Sequence, residues 1–241
     1  MPRLLVLVQL IMLFASSRGL TLLGHDITHL RVVLASASPR RRELLALTGL
    51  REGVHFEVSP STFAEDLAKE DFASPAEYTL ATATAKAREV AGRSLRGRGG
   101  AAHLVIGADT TVEHEGTVLE KPGDAADAAA MLRRLAGNTH RVHTGVCIFA
   151  GRDDAPAAAF VETTVVRFAD IDESDIAAYV ESGEPMDKAG AYGIQGAAAQ
   201  FVAGLDGDYF NVVGLPVHRL STTLAELLRS GAVPTSGAGD A

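Results

Sequence analysis

Three consecutive arginines, Arg40, Arg41 and Arg42, follow Ser36-Ala37-Ser38-Pro39 in a chain whose formal net charge is −8. A hydroxyl at Ser38 and a proline directly after it are the residues of a helix N-cap and first turn. Basic side chains at that end run against the helix dipole, while the unpaired N–H groups there attract an anion. The pattern fits a phosphate site to which Ser36 and Ser38 add hydroxyls, and it equally fits a capped helix with solvated arginines. Asp109 ends the apolar run Leu104-Val105-Ile106-Gly107-Ala108. A carboxylate there can hold Mg²⁺ or orient water as a base, or simply cap a turn. Lys121-Pro122 offers an ammonium in a fixed turn. Lys86, within Ala81-Thr82-Ala83-Thr84-Ala85-Lys86, is either a solvated helix position or a phosphate contact. The stretch from Pro185 to Gly196 holds three glycines with Asp187, Lys188, Tyr192 and Gln195, which reads as a loop rather than core. The Gln195 amide both donates and accepts, so it suits the edge of a base or a water.

The elements that must position these residues alternate along the chain. Residues 31–35 and 54–58 read as strands. Between them a helix opens at Ser38-Pro39, with Leu44, Leu45 and Leu47 as its apolar stripe and Gly49 as its stop. Ser74-Pro75-Ala76-Glu77 is a capping box for a helix to about Ala91, and residues 93–100 read as a solvated loop. A strand over 103–108 is expected to end at Asp109. Glu115-Gly116 then turns a hairpin between 110–113 and 117–120. A helix over 124–135 carries Met131, Leu132 and Leu135; strands follow at 142–149 and 159–168. A helix begins near Asp172 with Ile176, Tyr179 and Val180 inward. Short strands and turns fill 191–213, with Asp206-Gly207 as a hairpin turn, and the last helix is 216–228. The fold class is α/β, a mixed sheet with flanking helices.

Composition excludes several classes. Hydrophobic residues make up 47% of the 241 and charged ones 22%, so the chain is neither disordered nor collagen-like. The single cysteine, Cys147, rules out an intramolecular disulfide or a thiolate zinc cluster. The acidic balance, the absence of Trp and the 5% of aromatics argue against a nucleic-acid polymer as partner. No Walker A, dinucleotide-binding, zincin or nucleophile-elbow motif is present, and His103, His114, His140, His143 and His218 show no metal-ligand spacing. Arg3, the apolar run Leu4 to Ala15 and the exit Ala15-Ser16-Ser17 follow a signal-peptide pattern, too short for a membrane span. Residues 1–30 are therefore read as a targeting-like leader, 31–230 as one folded domain and 231–241 as a flexible tail.

Five motifs occur in order: Ser36-Ala37-Ser38-Pro39-Arg40-Arg41, Gly107-Ala108-Asp109-Thr110, Glu120-Lys121-Pro122, Asp187-Lys188-Ala189-Gly190-Ala191-Tyr192-Gly193-Ile194-Gln195 and Val213-Gly214-Leu215-Pro216. Together they resemble the Maf (septum-formation protein) family of nucleoside triphosphate pyrophosphatases, over residues 31–228. The resemblance implies a twisted mixed sheet of Maf/ITPase-like type with its cleft between two lobes. It implies hydrolysis of a triphosphate between the α and β phosphates, of the dTTP/UTP branch, in housekeeping of the nucleotide pool. Ser36, Arg40 and Arg41 match the family's phosphate-binding loop, and Lys86 and Gln195 further substrate positions. Asp109 matches the base, with Glu65 and Lys121 beside it as catalytic positions; Asp109 and Glu65 are the metal candidates. The resemblance further implies a divalent cation (Mg²⁺ or Mn²⁺), a homodimer without stable membrane association once the leader is removed, and a cytoplasmic location. The leader pattern offers secretion or plastid targeting instead. A nucleotide-binding regulator of cell division with slow turnover is the alternative function.

Overall fold

The computed structural model describes residues 21–95, 103–151 and 154–233. Most of the leader, the loop residues 96–100 and the tail from 234 onward lie outside these. Thr21–Leu22 (β1) and His25–Asp26 (β2) form a small antiparallel pair. Leu22, Ile27 and Leu30 are buried in the main core, so its packing begins upstream of the boundary at residue 31.

Val32–Leu34 (β3) is buried on both faces, as a parallel strand between neighbours must be. It pairs in parallel with Phe56–Val58 (β4) and with Leu104–His114 (β5). Beyond β5 the sheet is antiparallel: Thr139–Ala150 (β7), Ala158–Phe168 (β8), then Val202–Asp206 (β9). The order is β4-β3-β5-β7-β8-β9, with Thr117–Leu119 (β6) pairing β5 as well. This is the mixed sheet expected from alternating helical and hairpin connections.

The helices are Pro39–Ala46 (α1), Pro75–Ser94 (α2), Ala125–Leu135 (α3), Glu173–Glu181 (α4), Tyr209–Val213 (α5) and Val217–Arg229 (α6). Ser38 caps α1 and Ser74 caps α2, each accepting from the N–H three residues on. Small residues let α2 lie against the sheet almost backbone to backbone. A Cβ on Gly107 would stand 2.6 Å from that of Ala87, and one on Gly145 would stand 2.8 Å from the Thr79 carbonyl.

The sheet differs from the sequence expectation in one way that matters for the site. β5 does not end at Asp109; it runs on to His114, because residues 110–113 pair with β7 down to Glu113↔Arg141. Asp109 is thus mid-strand. The turn after it is as expected, with Glu115 at φ 51° and Gly116 at φ 74°. On the other side of β5, β3 pairs with 104–106 and β6 with 112–114, which leaves a gap at 107–111. Elsewhere, Leu47 is half exposed rather than on the buried stripe of α1, and Arg93 belongs to α2 rather than to a loop. Asp206-Gly207 joins β9 to α5, whose N-cap is Asp208, so it is a strand-to-helix turn and not a hairpin. Residues 184–201 form a series of 3₁₀ turns before β9, the only strand among the described residues 191–213.

Candidate active site

A cleft of about 810 Å³ opens at the gap in β5. One wall follows β3. Ser36 Oγ accepts from the Ser38 amide at 3.2 Å and from Arg41 at 3.2 Å. Arg41 is fixed further by Nε to the Gly214 carbonyl at 2.9 Å and by a terminal nitrogen to Thr110 Oγ1 at 2.9 Å. These three bonds use three of its five N–H donors. Burial lowers the Arg41 pKa, against which the charges of Asp109 and Glu65 act. Arg40 reaches across the cleft to Asp187 at 3.4 Å. Arg42 turns away to Glu52 and does not line the cleft, so two of the three arginines serve it.

The floor carries an ion triad. Lys86, 8% exposed, sits on the sheet-facing side of α2. Its ammonium stands between Asp109 Oδ1 at 2.8 Å and Glu65 Oε2 at 2.7 Å. An ammonium buried this deeply requires such partners. The mid-helix lysine is therefore part of the site and not a solvated position. Glu65 holds φ 56°, a left-handed conformation that costs a non-glycine residue energy and that clusters at functional sites. The second oxygens of Asp109 and Glu65 make no hydrogen bond among the described residues.

The opposite wall is the 184–196 segment. Lys188 Nζ donates to the Glu184 carbonyl at 2.6 Å and pairs with Asp187 at 2.6 Å. Burial raises the Asp187 pKa, but the hydrogen bond and charge of Lys188, helped by Arg40, outweigh it and leave the group below its ordinary value. Glu184 in turn accepts from Tyr179 Oη at 2.9 Å and from the Ala197 amide at 3.0 Å. Gly190, at φ 68°, packs so closely on Val112 that a Cβ would stand 2.8 Å from its Cγ2. Lys121 and Gln195 border the same cleft.

All eight site residues expected from the sequence thus line one cleft: Ser36, Arg40, Arg41, Glu65, Lys86, Asp109, Lys121 and Gln195. Sequence reasoning missed Thr110, Tyr78, Glu120 and Glu184 as lining residues. Thr110 and Glu120 adjoin residues that were singled out, whereas Tyr78 has the spacing of an ordinary core position. Five basic and five acidic side chains line the cleft, so it carries no large surplus of positive charge.

Residues 31–227 match the family model described as Maf-like protein. A dTTP/UTP pyrophosphatase of Symbiobacterium thermophilum is 47% identical over 196 residues, covering 81% of this chain and 93% of the relative. A human protein named as a probable bifunctional dTTP/UTP pyrophosphatase/methyltransferase is 48% identical over 83% of this chain, which spans only 32% of that relative. Among solved structures, a HAM1 protein from Coxiella burnetii aligns over 82% of this chain and 99% of that one, at 17% identity and a TM-score of 0.40. With the family model covering most of its length and relatives this similar, the chain belongs to the Maf-like protein family.

Proposed function

We propose that this protein hydrolyses dTTP and UTP to the monophosphate and pyrophosphate. One observation carries the reading: the Lys86–Asp109–Glu65 triad lies beside the Ser36/Arg41 anion wall in a single cleft. The names of relatives 43–48% identical over most of the chain support the choice of nucleotide.

The chain's own residues divide the work. The first turn of α1 and the free donors of Arg41 hold the terminal phosphates. Arg40 exchanges Asp187 for a phosphate oxygen. Lys86 fixes one oxygen of Asp109. The other orients a water in line with the bond to be broken and takes its proton as the water adds to the α phosphorus. The bond from that phosphorus to the bridging oxygen breaks, and pyrophosphate leaves with a charge that Arg40, Arg41 and Lys121 meet.

The donor set fits a divalent cation. Both carboxylates pair with the Lys86 ammonium and each keeps an oxygen without a hydrogen bond among the described residues, and Mg²⁺ is commonly held by one or two carboxylates plus phosphate oxygens. The even balance of charge in the cleft points the same way, toward a triphosphate that arrives with its counter-ion. No cluster of three or more His, Cys, Asp or Glu suited to a metal occurs among the described residues, and phosphate oxygens and waters would supply the other ligands. Held by Asp109 and Glu65, Mg²⁺ or Mn²⁺ would neutralise charge on the phosphates. The homodimer and the cytoplasmic location rest on the family resemblance. No helix of the described residues is long and apolar enough to cross a membrane.

The test is release of pyrophosphate against orthophosphate from dTTP, UTP and CTP. Wild type is expected to release pyrophosphate, and Asp109→Asn to lose turnover by a factor of roughly 10²–10⁴, the range for a lost general base. Orthophosphate as the product, or an Asp109→Asn variant with most of its activity, would overturn the assignment. A nucleotide sensor would bind the triphosphate and release neither.

A further inference from the structure

Glu120, in the Glu120-Lys121-Pro122 motif, has no task in phosphate chemistry, yet its half-exposed carboxylate is held by two partners at the cleft. Its Oε1 pairs with Lys69 Nζ at 2.8 Å and accepts from Tyr78 Oη at 3.3 Å. Burial raises the Tyr78 phenol pKa, and the charge of Glu120 raises it further, so that hydroxyl stays a donor. The Glu120 carbonyl accepts from the Gly190 amide at 3.0 Å, tying it to the loop that carries Gln195. Oε2 accepts no hydrogen bond among the described residues, and the side chain lines the cleft.

Its place along the cleft follows from strand register. β3 and β5 run in parallel with Leu34 level with Ile106, so Ser36 comes level with Ala108. β6 runs antiparallel with Leu119 level with Val112, so Glu120 comes level with Thr111. Carried on past the last paired residues, this register sets the backbones of Ser36 and Glu120 roughly 10 Å apart along β5, toward opposite ends of the gap. A carboxylate repels phosphate, so what it can accept from in a nucleotide is a donor of the nucleoside, a ribose hydroxyl or an N–H on the base.

We propose that Glu120 reads the N3–H of the pyrimidine, so that the site admits uracil and thymine and refuses cytosine. This rests on the pyrophosphatase reading above. Uracil and thymine present N3 as a donor between two carbonyls, whereas cytosine presents a bare N3 lone pair. Cytosine's donor is the N4 amine beside that lone pair, so only a carboxylate oxygen placed level with N3 pairs with the first and is repelled by the second. Sites built to bond a substrate N–H reject analogues lacking it more strongly than apolar pockets reject a missing methylene. Guanine also offers N–H groups, so Glu120 separates uracil from cytosine and does not by itself exclude purines.

The experiment compares kcat/KM for pyrophosphate release from UTP, CTP and N3-methyl-UTP. Wild type is expected to favour UTP over both analogues by at least tenfold. In Glu120→Gln the UTP/CTP ratio should narrow by about tenfold or more, because an amide can turn either its N–H or its carbonyl to the base. Equal rates with UTP and N3-methyl-UTP in wild type, or an unchanged UTP/CTP ratio in Glu120→Gln, would overturn the role of Glu120 while leaving the pyrophosphatase reading intact. The methylated substrate needs no variant, so the first outcome holds even if Glu120→Gln folds poorly. Wild type inactive on all three would instead remove the pyrophosphatase reading, and this role with it.

Discussion

His140 lies beneath the cleft wall, 2% exposed, with Nε2 at 2.8 Å from Tyr192 Oη and its ring edge-on to Phe168. Its Nδ1 has no partner among the described residues. Burial, with His114 nearby, pushes its pKa down to about 4 from the ordinary 6.5. Tyr192 contributes no charge in this range, since burial raises its phenol. In the unfolded chain the imidazole gains its proton first as pH falls. The stability it allows is therefore present above about pH 6.5 and lost as pH falls toward 4, amounting to roughly 3 kcal/mol. Urea unfolding at pH 7.5 and 4.5 is expected to show a smaller loss for His140→Gln than for wild type; parallel losses would show that another group sets the acid limb. At this scale several residues that line the cleft were legible: Ser36, Arg41 and Asp109 stand beside local signals. Lys86 was ambiguous because its partners, Asp109 and Glu65, reach it only through tertiary folding. Arg42, the arginine of the run that was not assigned to the site, turns away to Glu52.

Between elements, the approach of α2 to the sheet sets the triad. Lys86 precedes Ala87, whose methyl group would meet a Cβ on Gly107 at 2.6 Å, and Asp109 follows two residues after Gly107 on the same face of β5. Gly107→Ala should push α2 away and lower stability by about 1–3 kcal/mol, as overpacking does. It should also cost activity out of proportion to stability, because a displacement of about 1 Å at a catalytic group can cost a hundredfold in rate. Gly92→Ala, on the same helix with nothing within 4 Å of the new methyl, serves as the control and should be neutral or mildly stabilising. Chemical denaturation and kcat, measured on both variants, check the contrast. Helix starts and the Glu115-Gly116 turn could be read from sequence because caps and type I′ turns are local chemistry. The length of β5 could not, since its continuation past Asp109 depends on β7, some thirty residues on. Asp206-Gly207 misled for the opposite reason: a hairpin and a strand-to-helix turn ask for the same dipeptide.

The core of the whole molecule extends to its first described residues. Leu22, Ile27 and Leu30 are each no more than 3% exposed. At about 1.5–3 kcal/mol per buried aliphatic side chain, the three together rival the roughly 5–15 kcal/mol that separates folded from unfolded proteins. A variant beginning at residue 31 is expected to lose its cooperative thermal transition, while one beginning at residue 21 keeps it; circular dichroism melts of the two distinguish them. The apolar run Leu4 to Ala15 that suggested a targeting leader lies outside the described residues, and the burial of Leu22, Ile27 and Leu30 concerns only the stretch after it. The acidic total of −8 likewise described the surface and not the cleft, where the charges balance. The gap in β5 has a consequence of its own. An unpaired strand edge ordinarily invites another chain to add a strand, and exposed edges are a recurrent route to aggregation. Here the open stretch 107–111 is sunk between β3 and β6 and roofed by charged side chains. Flanked on both sides by strands of its own sheet, this gap is too short and too recessed to serve as a long exposed edge, which lessens its use as a template for another chain.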